Sequence, residues 1–276
     1  LVRHCTRKDK RWVDAFKYFG WVVSIGFVGF AMLAQPSITQ VLTWFHALLF
    51  HWEWELFLTD PFIFIFWWFI IITVFIWGRG LFCGWLCPFG ALQELLAKLA
   101  RVVSLPQWWP SYRAHRMLWR LKYVSLAVLA VATLHGLQTM AIAAEIEPFK
   151  TVISLRMDRT WPFVVYALVL LAAGLLVERA FCRFLCPLGA VMAIGGRLRL
   201  RRFMPLKRRP ECGSPCQLCA RRCPIQAIEP SGAINMDECF YCLDCQVIHN
   251  DANVCPPLVR NRKLAVAAPT RSPAAG

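Results

Sequence analysis

Four apolar runs, separated by polar and charged stretches, set the pattern of this chain. They cover about residues 12–34, 61–77, 121–144 and 161–177. A helix needs about 20 predominantly apolar residues to cross the ~30 Å hydrocarbon core of a bilayer, and the runs are close to that length. The pattern therefore predicts an all-α integral membrane protein with four transmembrane helices, followed by a smaller and more polar segment.

The composition agrees with a membrane protein. Hydrophobic residues make up 58% of the 276 residues and charged residues only 17%, whereas soluble domains carry about 25% charged residues. The formal net charge of +15 also occurs in nucleic-acid-binding proteins, but the basic residues do not form one recognition face here. We therefore expect a lipid membrane as the surroundings and no nucleic-acid partner.

The positions of Lys and Arg predict the orientation of the apolar runs. Six of them precede the centre of the first run, none lies within residues 35–60, and fifteen follow Glu178. Because cytoplasmic segments carry an excess of Lys and Arg, both ends of the described pattern are predicted to face the cytoplasm of a bacterial inner membrane. Four spans are consistent with this orientation.

The second and fourth runs are each followed by the same motif, Phe-Cys-x3-Cys-Pro-x-Gly-Ala. Its cysteines are Cys83 and Cys87 in the first copy and Cys182 and Cys186 in the second. A pattern that recurs in this way predicts an internal two-plus-two repeat, covering about residues 12–100 and 113–199. Since both preceding runs are directed inward, both motifs are predicted to lie at the cytoplasmic membrane face.

The spacing within the motif puts its two thiols on one face of a helix, and the proline after the second cysteine disfavours a helical residue there. Three interpretations stay open for the four thiols. They form a third redox or metal site, they act as redox-active dithiols, or they are buried thiols that behave as small apolar side chains. The duplication favours a function.

Eight of the thirteen cysteines lie within residues 212–255. Two runs of three closely spaced cysteines, each completed by a cysteine before proline, are typical of proteins with two 4Fe-4S clusters. In two-cluster ferredoxins the cysteine before proline ligates the cluster of the other run. The predicted ligands are Cys212, Cys216, Cys219 and Cys255 for the first cluster, and Cys239, Cys242, Cys245 and Cys223 for the second.

Zinc and disulfides are the alternatives for this segment. Paired cysteines also bind zinc, but two triple runs with Cys-Pro suit a cubane better, and disulfides would require an oxidising compartment. The segment at residues 201–260 is therefore predicted to be a small α+β ferredoxin-like domain on the cytoplasmic side. The other predicted parts are a cytoplasmic basic segment at 1–18, a transmembrane domain at 19–200 and a loose tail at 261–276.

Three further features complete the pattern. Only His135 lies inside an apolar run, so a haem with two histidine ligands is not predicted. Glu145 and Glu147 follow the third run and are either proton-handling carboxylates or charged residues of an outer loop. The chain does not open on methionine, and we expect it to be the carboxy-terminal part of a longer protein.

These features together resemble the carboxy-terminal part of the NosR/NirI family of polyferredoxin-like membrane flavoproteins. The resemblance rests on FCGWLCPFGALQEL, AEIEPFK, ERAFCRFLCPLGA and the two cysteine runs CGSPCQLCARRCPIQAI and CFYCLDCQV, and it covers about residues 12–257. The NapH quinol dehydrogenase subunit and the CcoG copper reductases share these parts more loosely.

The resemblance implies a membrane electron-transfer protein of denitrifying bacteria that supports the expression, maturation or electron supply of nitrous oxide reductase. That enzyme and its assembly proteins are the implied partners. FMN is implied only for a periplasmic domain outside this chain, and a quinone is a further candidate cofactor. A redox sensor, a copper reductase for metal-centre assembly and a NapH-like quinol dehydrogenase are the alternative functions, and catalytic residues stay unknown.

Overall fold

A computed structural model describes residues 10–32, 36–50, 61–198 and 206–267, and its regular structure is almost entirely helical. Within these residues no β-strand forms. The pairing outside helices consists of two isolated bridges, Cys212 with Cys216 and Ile228 with Ile234. The prediction of a mostly helical protein is confirmed, while the α+β class of residues 201–260 stays a prediction.

The backbone divides into two compact units. The large unit comprises Lys17–Met204 and Met236–Tyr241, and the small unit comprises Leu1–Phe16, Pro205–Asn235 and Cys242–Gly276. The segment Met236–Tyr241, which includes Cys239, therefore belongs to the large unit although it lies within the cysteine-rich sequence. The sequence pattern did not predict that this segment belongs to the large unit.

Ten α-helices, together with short π-helical turns, account for most of the described residues before position 199. They are α1 Lys10–Trp21, which continues as a π-helix at Val22–Ala31, α2 Ile38–Phe50, α3 Pro61–Trp77, α4 Pro88–Val102, α5 Tyr112–Leu118, α6 Leu121–His135, α7 Leu137–Ala143, α8 Trp161–Leu176, α9 Ala180–Phe184 and α10 Pro187–Arg197. Further π-helical turns cover Phe82–Leu86 and Lys150–Ser154.

Two helical stretches, Lys10–Ala31 and Tyr112–His135, are long and apolar enough to cross a membrane. Shorter apolar helices include Pro61–Trp77 and Trp161–Leu176. Each of these two begins with a proline in its first turn, where the missing N–H leaves no helical hydrogen bond unmade.

The outer face of α6 shows what surrounds these helices. Val124, Val128, Val131 and Leu134 recur every three or four residues along it, and each is more than half exposed, from 55% to 60%. A continuous apolar stripe of this kind is unfavourable in water but suits contact with lipid tails. The stripe favours a membrane location for the large unit.

The two repeats pack by exchanging helices. α4 of the first repeat packs against α8 of the second, and α10 of the second packs against α3 of the first. Each exchanged helix also contacts the first long helix of its own repeat: α4 contacts Val22–Ala31, and α10 contacts α6. The core between them contains Ile70, Phe82, Leu129, Leu188 and Met192.

The small unit contains three short helices, α11 Leu218–Arg221, α12 Asp244–Asn250 and α13 Pro256–Ala267. Its cysteine loops need glycine at two points. Gly213 and Gly232 have positive φ angles. A Cβ on Gly213 would overlap the backbone of Ser231, and a Cβ on Gly232 would overlap the backbone of Cys212. Only glycine allows the backbone to pass this closely.

Candidate metal centres

The thiols predicted for the first cluster are connected through Arg209. Its backbone N–H donates to the Sγ of Cys212 over 3.5 Å, and its guanidinium donates to the Sγ of Cys255 over 3.2 Å. Cys219 interacts electrostatically with Cys212 and Cys216. Such N–H···S hydrogen bonds are one means by which proteins adjust the potential of an iron–sulfur cluster.

The thiols predicted for the second cluster are distributed over both units. In the small unit, Cys245 interacts electrostatically with Cys223, and its Sγ accepts a hydrogen bond from the side chain of Gln246 over 3.7 Å. In the large unit, the Sγ of Cys239 accepts from the backbone N–H of Tyr241 over 3.4 Å. The pairing of ligands into two clusters stays a prediction.

The chemistry of the donors fits iron–sulfur clusters. No disulfide joins any of the twelve cysteines in the described part of the chain. Among the described residues, no three Cys, His, Asp or Glu side chains lie close enough together to hold one metal ion. In a cubane each thiolate binds a different iron atom, so its ligands are more widely spaced than those of tetrahedral zinc.

The two Cys-x3-Cys-Pro motifs form a second, symmetric set of thiols within the large unit. Cys87 and Cys186 are the N-cap residues of α4 and α10, each followed by proline as the first helical residue. The Sγ of Cys87 accepts from the N–H of Gly90 over 3.4 Å, and that of Cys186 accepts from Gly189 over 3.3 Å. The sulfur takes the role that a serine or aspartate oxygen has at an ordinary helix start.

All four thiols of the motifs are brought together. Cys83 and Cys182 each interact electrostatically with the other three cysteines of the set. Cys182 is buried, and the other three are partly buried. The sequence raised one redox or metal site formed by all four thiols as an interpretation, and that assignment stays a prediction.

Two serines bind the backbone directly before the second cysteine of each motif. Ser24 donates to the carbonyl oxygen of Leu86, and Ser125 donates to that of Leu185, both over 2.9 Å. These carbonyls directly precede Cys87 and Cys186 in the chain, and the serines lie well inside the long helical stretches Lys10–Ala31 and Tyr112–His135. The motifs therefore lie beside these two helical stretches, and their position at the cytoplasmic membrane face stays a prediction.

Two buried arginines each donate hydrogen bonds to the motif of the other repeat. Arg79 donates to the carbonyl oxygen of Gly189 over 3.1 Å, and Arg179 donates to that of Gly84 over 2.9 Å. Arg179 also donates to the carbonyl of Cys83 and pairs with Glu94. Each cation thus holds the motif of the other repeat, a role that the charge pattern of the sequence did not reveal.

The segment Met236–Tyr241 is anchored beside these arginines. Glu238 pairs with Arg79 over 3.0 Å and also with the buried Lys122. The ring of Phe240 contacts both guanidinium groups, with 4.7 Å from Arg79 Cζ and 5.1 Å from Arg179 Cζ to the ring centroid. Cys239 lies between these two anchors in the sequence and is held against the same end of the large unit.

The carboxylates of Glu145 and Glu147 differ in their surroundings. Glu145 pairs with Lys150 over 2.9 Å and Arg159 over 2.5 Å; burial tends to raise its pKa, but these two partners outweigh burial and hold the pKa below its usual value. Glu147 is 2% exposed and accepts from the hydroxyl of Ser37 over 2.6 Å and from the N–H of Ile38 at the start of α2. Burial raises the pKa of Glu147 to about 8.

Replacing Glu147 by glutamine is expected to reduce the pH dependence of stability between about pH 5 and pH 8. The folded protein retains a proton on Glu147 up to about pH 8, whereas the unfolded chain releases it near the ordinary value of 4.5. Because the unfolded state binds fewer protons in this window, the stability of the unsubstituted protein falls as the pH rises through it. Glutamine has no proton to release.

Thermal unfolding in detergent at several pH values measures this effect. Glu145→Gln is the control, because the low pKa of Glu145 adds stability above pH 4.5 and does not cause the decline. Equal pH slopes for the unsubstituted protein and Glu147→Gln would contradict the prediction.

Comparisons with known proteins agree with this arrangement. The model of the NosR family matches residues 210–265, and the model described as a 4Fe-4S binding domain matches twice, at residues 59–106 and 160–205. The second model therefore covers the two Cys-x3-Cys-Pro motifs, and the first covers the eight-cysteine segment. No solved structure matches the chain.

Three curated relatives show the extent of the similarity. "Regulatory protein NosR" of Stutzerimonas stutzeri is 51% identical over 88% of this chain and 33% of its own length. "Protein NirI" of Paracoccus denitrificans is 46% identical over 88% of this chain and 35% of its own. A "Regulatory protein NosR" sequence of Pseudomonas aeruginosa is 60% identical over 30% of this chain and 80% of its own. The chain spans about a third of the length of the first two relatives.

Proposed function

The chain belongs to the NosR/NirI family, and on that basis we propose that it is a membrane iron–sulfur unit that transfers electrons in support of nitrous oxide reductase. The observation that carries the proposal is the eight-cysteine segment, in which thiols that form no disulfide accept N–H···S hydrogen bonds and occur in the spacing of a two-cluster ferredoxin. Iron–sulfur clusters bound there would supply one-electron transfer.

The proposed ligands of these two clusters are the eight cysteines of the segment. Arg209 supports the grouping of Cys212 with Cys255, because one residue donates to both sulfurs. Cys245 interacts electrostatically with both Cys223 and Cys219, so the crossed assignment of the second cluster depends on the spacing of the cysteines. Both arrangements keep the cysteine before proline with the run of the other cluster, as in two-cluster ferredoxins.

The proposed topology has four membrane spans with the cysteine-rich segment on the cytoplasmic side. The exposed apolar stripe of α6 supports a lipid-facing helix. Fifteen Lys and Arg after Glu178 support a cytoplasmic carboxy-terminal half. Electrons would then pass between the cytoplasmic or membrane side and an acceptor in the periplasm, with nitrous oxide reductase or its assembly proteins as the receiving partners.

Iron content and electron transfer test this function together. The full chain, purified without oxygen, is expected to contain at least about eight irons from two cubanes. Cys219→Ser is expected to remove the signal of the first cluster and to abolish electron transfer to a periplasmic acceptor in membrane vesicles. Cys5→Ser is the matched control, since Cys5 belongs to neither cysteine pattern. Bound zinc without iron would contradict the proposal.

Regulation is the second candidate function, because the relatives from Stutzerimonas stutzeri and Pseudomonas aeruginosa are both named "Regulatory protein NosR". In that case the clusters would report a redox state, and electron transfer would not be their task. The two functions differ in the effect of Cys219→Ser. Loss of vesicle electron transfer with unchanged amounts of nitrous oxide reductase favours electron supply, and loss of the enzyme's expression with unchanged transfer favours regulation.

A further inference from the structure

We propose that Cys83, Cys87, Cys182 and Cys186 together hold one iron–sulfur cluster, shared between the two repeats, as a third redox centre inside the large unit. This centre is additional to the two clusters assigned to residues 212–255, and it uses none of their cysteines.

The sharing follows from the number and placement of the thiols. Each repeat supplies only two cysteines to the group, whereas an iron–sulfur cluster of the ferredoxin kind needs four thiolates. Cys83, Cys87 and Cys186 pack against one apolar core, and Cys83 and Cys182 each interact electrostatically with all the other thiols of the set. The two pairs therefore lie beside one another. The exchange of α4 and α10 between the repeats brings the pairs to this position.

The charges around the thiols suit an anionic centre. Arg79 and Arg179 both interact electrostatically with Cys182 and Cys83. Arg179 is balanced by Glu94, but the single carboxylate of Glu238 faces both Arg79 and Lys122. A cluster with four thiolate ligands has a net negative charge, and the two guanidinium groups beside the thiols would stabilise it, since buried charges need a partner.

The placement of the thiols argues against a single tetrahedral zinc ion, because among the described residues no three potential ligands lie within reach of one metal ion. A soft copper(I) ion also suits cysteine sulfur and is distinguished from a cluster by the iron content measured below. A cluster with several iron atoms bridges a wider gap, because its irons divide the four thiolates among them.

The surroundings of the thiols would protect such a cluster. Cys83 donates to the Sδ of Met192 over 3.8 Å, and Cys83, Cys87 and Cys186 pack against the apolar core that contains Phe82 and Leu188. A dry, apolar lining limits access of water and oxygen, and together with nearby hydrogen bonds it sets the reduction potential of a cluster.

The test compares three variants of the full chain purified without oxygen: Cys87→Ser, Cys186→Ser and the double variant, with Cys5→Ser as the control. The unsubstituted protein and the control are expected to contain more iron than the about eight atoms of two cubanes. Each single variant is expected to lose the whole excess, and the double variant to lose no more than either. The Mössbauer and electron paramagnetic resonance signals of the other two clusters should persist, which also shows that the variants fold.

Two results would overturn the shared cluster. One is an unsubstituted protein with no iron beyond the two cubanes. The other is additive loss, in which each single variant loses half of the excess and the double variant loses all of it, because that result indicates separate sites in the two repeats.

Arg79→Gln provides a second readout with all four thiols in place. Removal of a nearby positive charge disfavours the reduced, more negative cluster. We therefore expect a lower midpoint potential for the third centre, measured in the Arg79→Gln protein that retains the excess iron. An unchanged potential of that centre would contradict the proposed influence of the arginine.

Discussion

Replacing Glu238 by alanine is expected to lower the free energy of unfolding by about 3–5 kcal/mol, because removal of one partner leaves a buried charge uncompensated. Glu238 faces two cations, Arg79 and Lys122, whose side chains are 1% and 0% exposed. Arg79 cannot release its proton, so it would keep its desolvation cost and lose its counter-charge. Chemical or thermal unfolding in detergent measures the difference.

Asp237→Asn is the matched control for this substitution. Asp237 pairs with Arg197 over 2.9 Å at the surface, where the arginine side chain is 61% exposed. Exposed pairs of this kind contribute at most about 1 kcal/mol. If Glu238→Ala destabilised the protein no more than Asp237→Asn, the buried cations would have found other partners and the described ion network would not anchor Met236–Tyr241.

The sequence predicted the helices with uninterrupted apolar runs most accurately. The second predicted span and helix α3 share the bounds Pro61–Trp77, and the fourth predicted span differs from α8 by one residue at its end. A long apolar run leaves few alternatives to a helix, because each backbone polar group has to be satisfied within the segment. Whether these helices cross a membrane stays a prediction.

The sequence did not predict the interactions between distant charges. Arg79 and Arg179 counted only as basic residues of cytoplasmic loops, yet the structure buries both and connects each to the opposite repeat. Glu238 lies 159 residues from Arg79, and no local periodicity relates two positions so far apart. The positive-inside rule counts charges and does not assign partners.

One available signal was the position of the arginines relative to the motif. Arg79 precedes Cys83 by four residues and Arg179 precedes Cys182 by three, so the repeat extends beyond the motif with one residue inserted in the first copy. The first copy forms a π-helical turn at Phe82–Leu86, while the second forms the α-helical turn Ala180–Phe184. Both copies nevertheless close with the same hydrogen bond, from the N–H of the second cysteine to the carbonyl oxygen of the phenylalanine before the first cysteine.

The burial of Glu147 and the segment exchange at Met236–Tyr241 also depended on tertiary contacts. On sequence alone Glu147 had the same surroundings as Glu145, and the difference in pKa arises from its burial against Ser37 and Ile38. Cys239 looked equivalent to Cys242, but its neighbours Glu238 and Phe240 bind the arginines of the large unit.

Gly84→Ala is expected to have the second large effect, through the contact that positions Cys239. A Cβ at Gly84 would overlap the carbonyl oxygen of Phe240, which is a backbone atom and cannot rotate away. The adjacent Trp85 fixes the same segment by donating to the carbonyl oxygen of Tyr241 over 3.1 Å. The segment has to shift, and overpacking of this kind costs about 1–3 kcal/mol.

Gly26→Ala is the matched control, because a Cβ at Gly26 meets no atom within 4 Å. Within a helical stretch, alanine in place of glycine is neutral or stabilising by up to about 1 kcal/mol. We expect Gly84→Ala, but not Gly26→Ala, to lower the melting temperature and to weaken the spectroscopic signal of the cluster assigned to Cys239. Since Gly84 carries no charge or sulfur, such a loss would come from displacement of the segment alone. Equal behaviour of the two variants would show that Phe240 does not lie against the first Cys-x3-Cys-Pro motif.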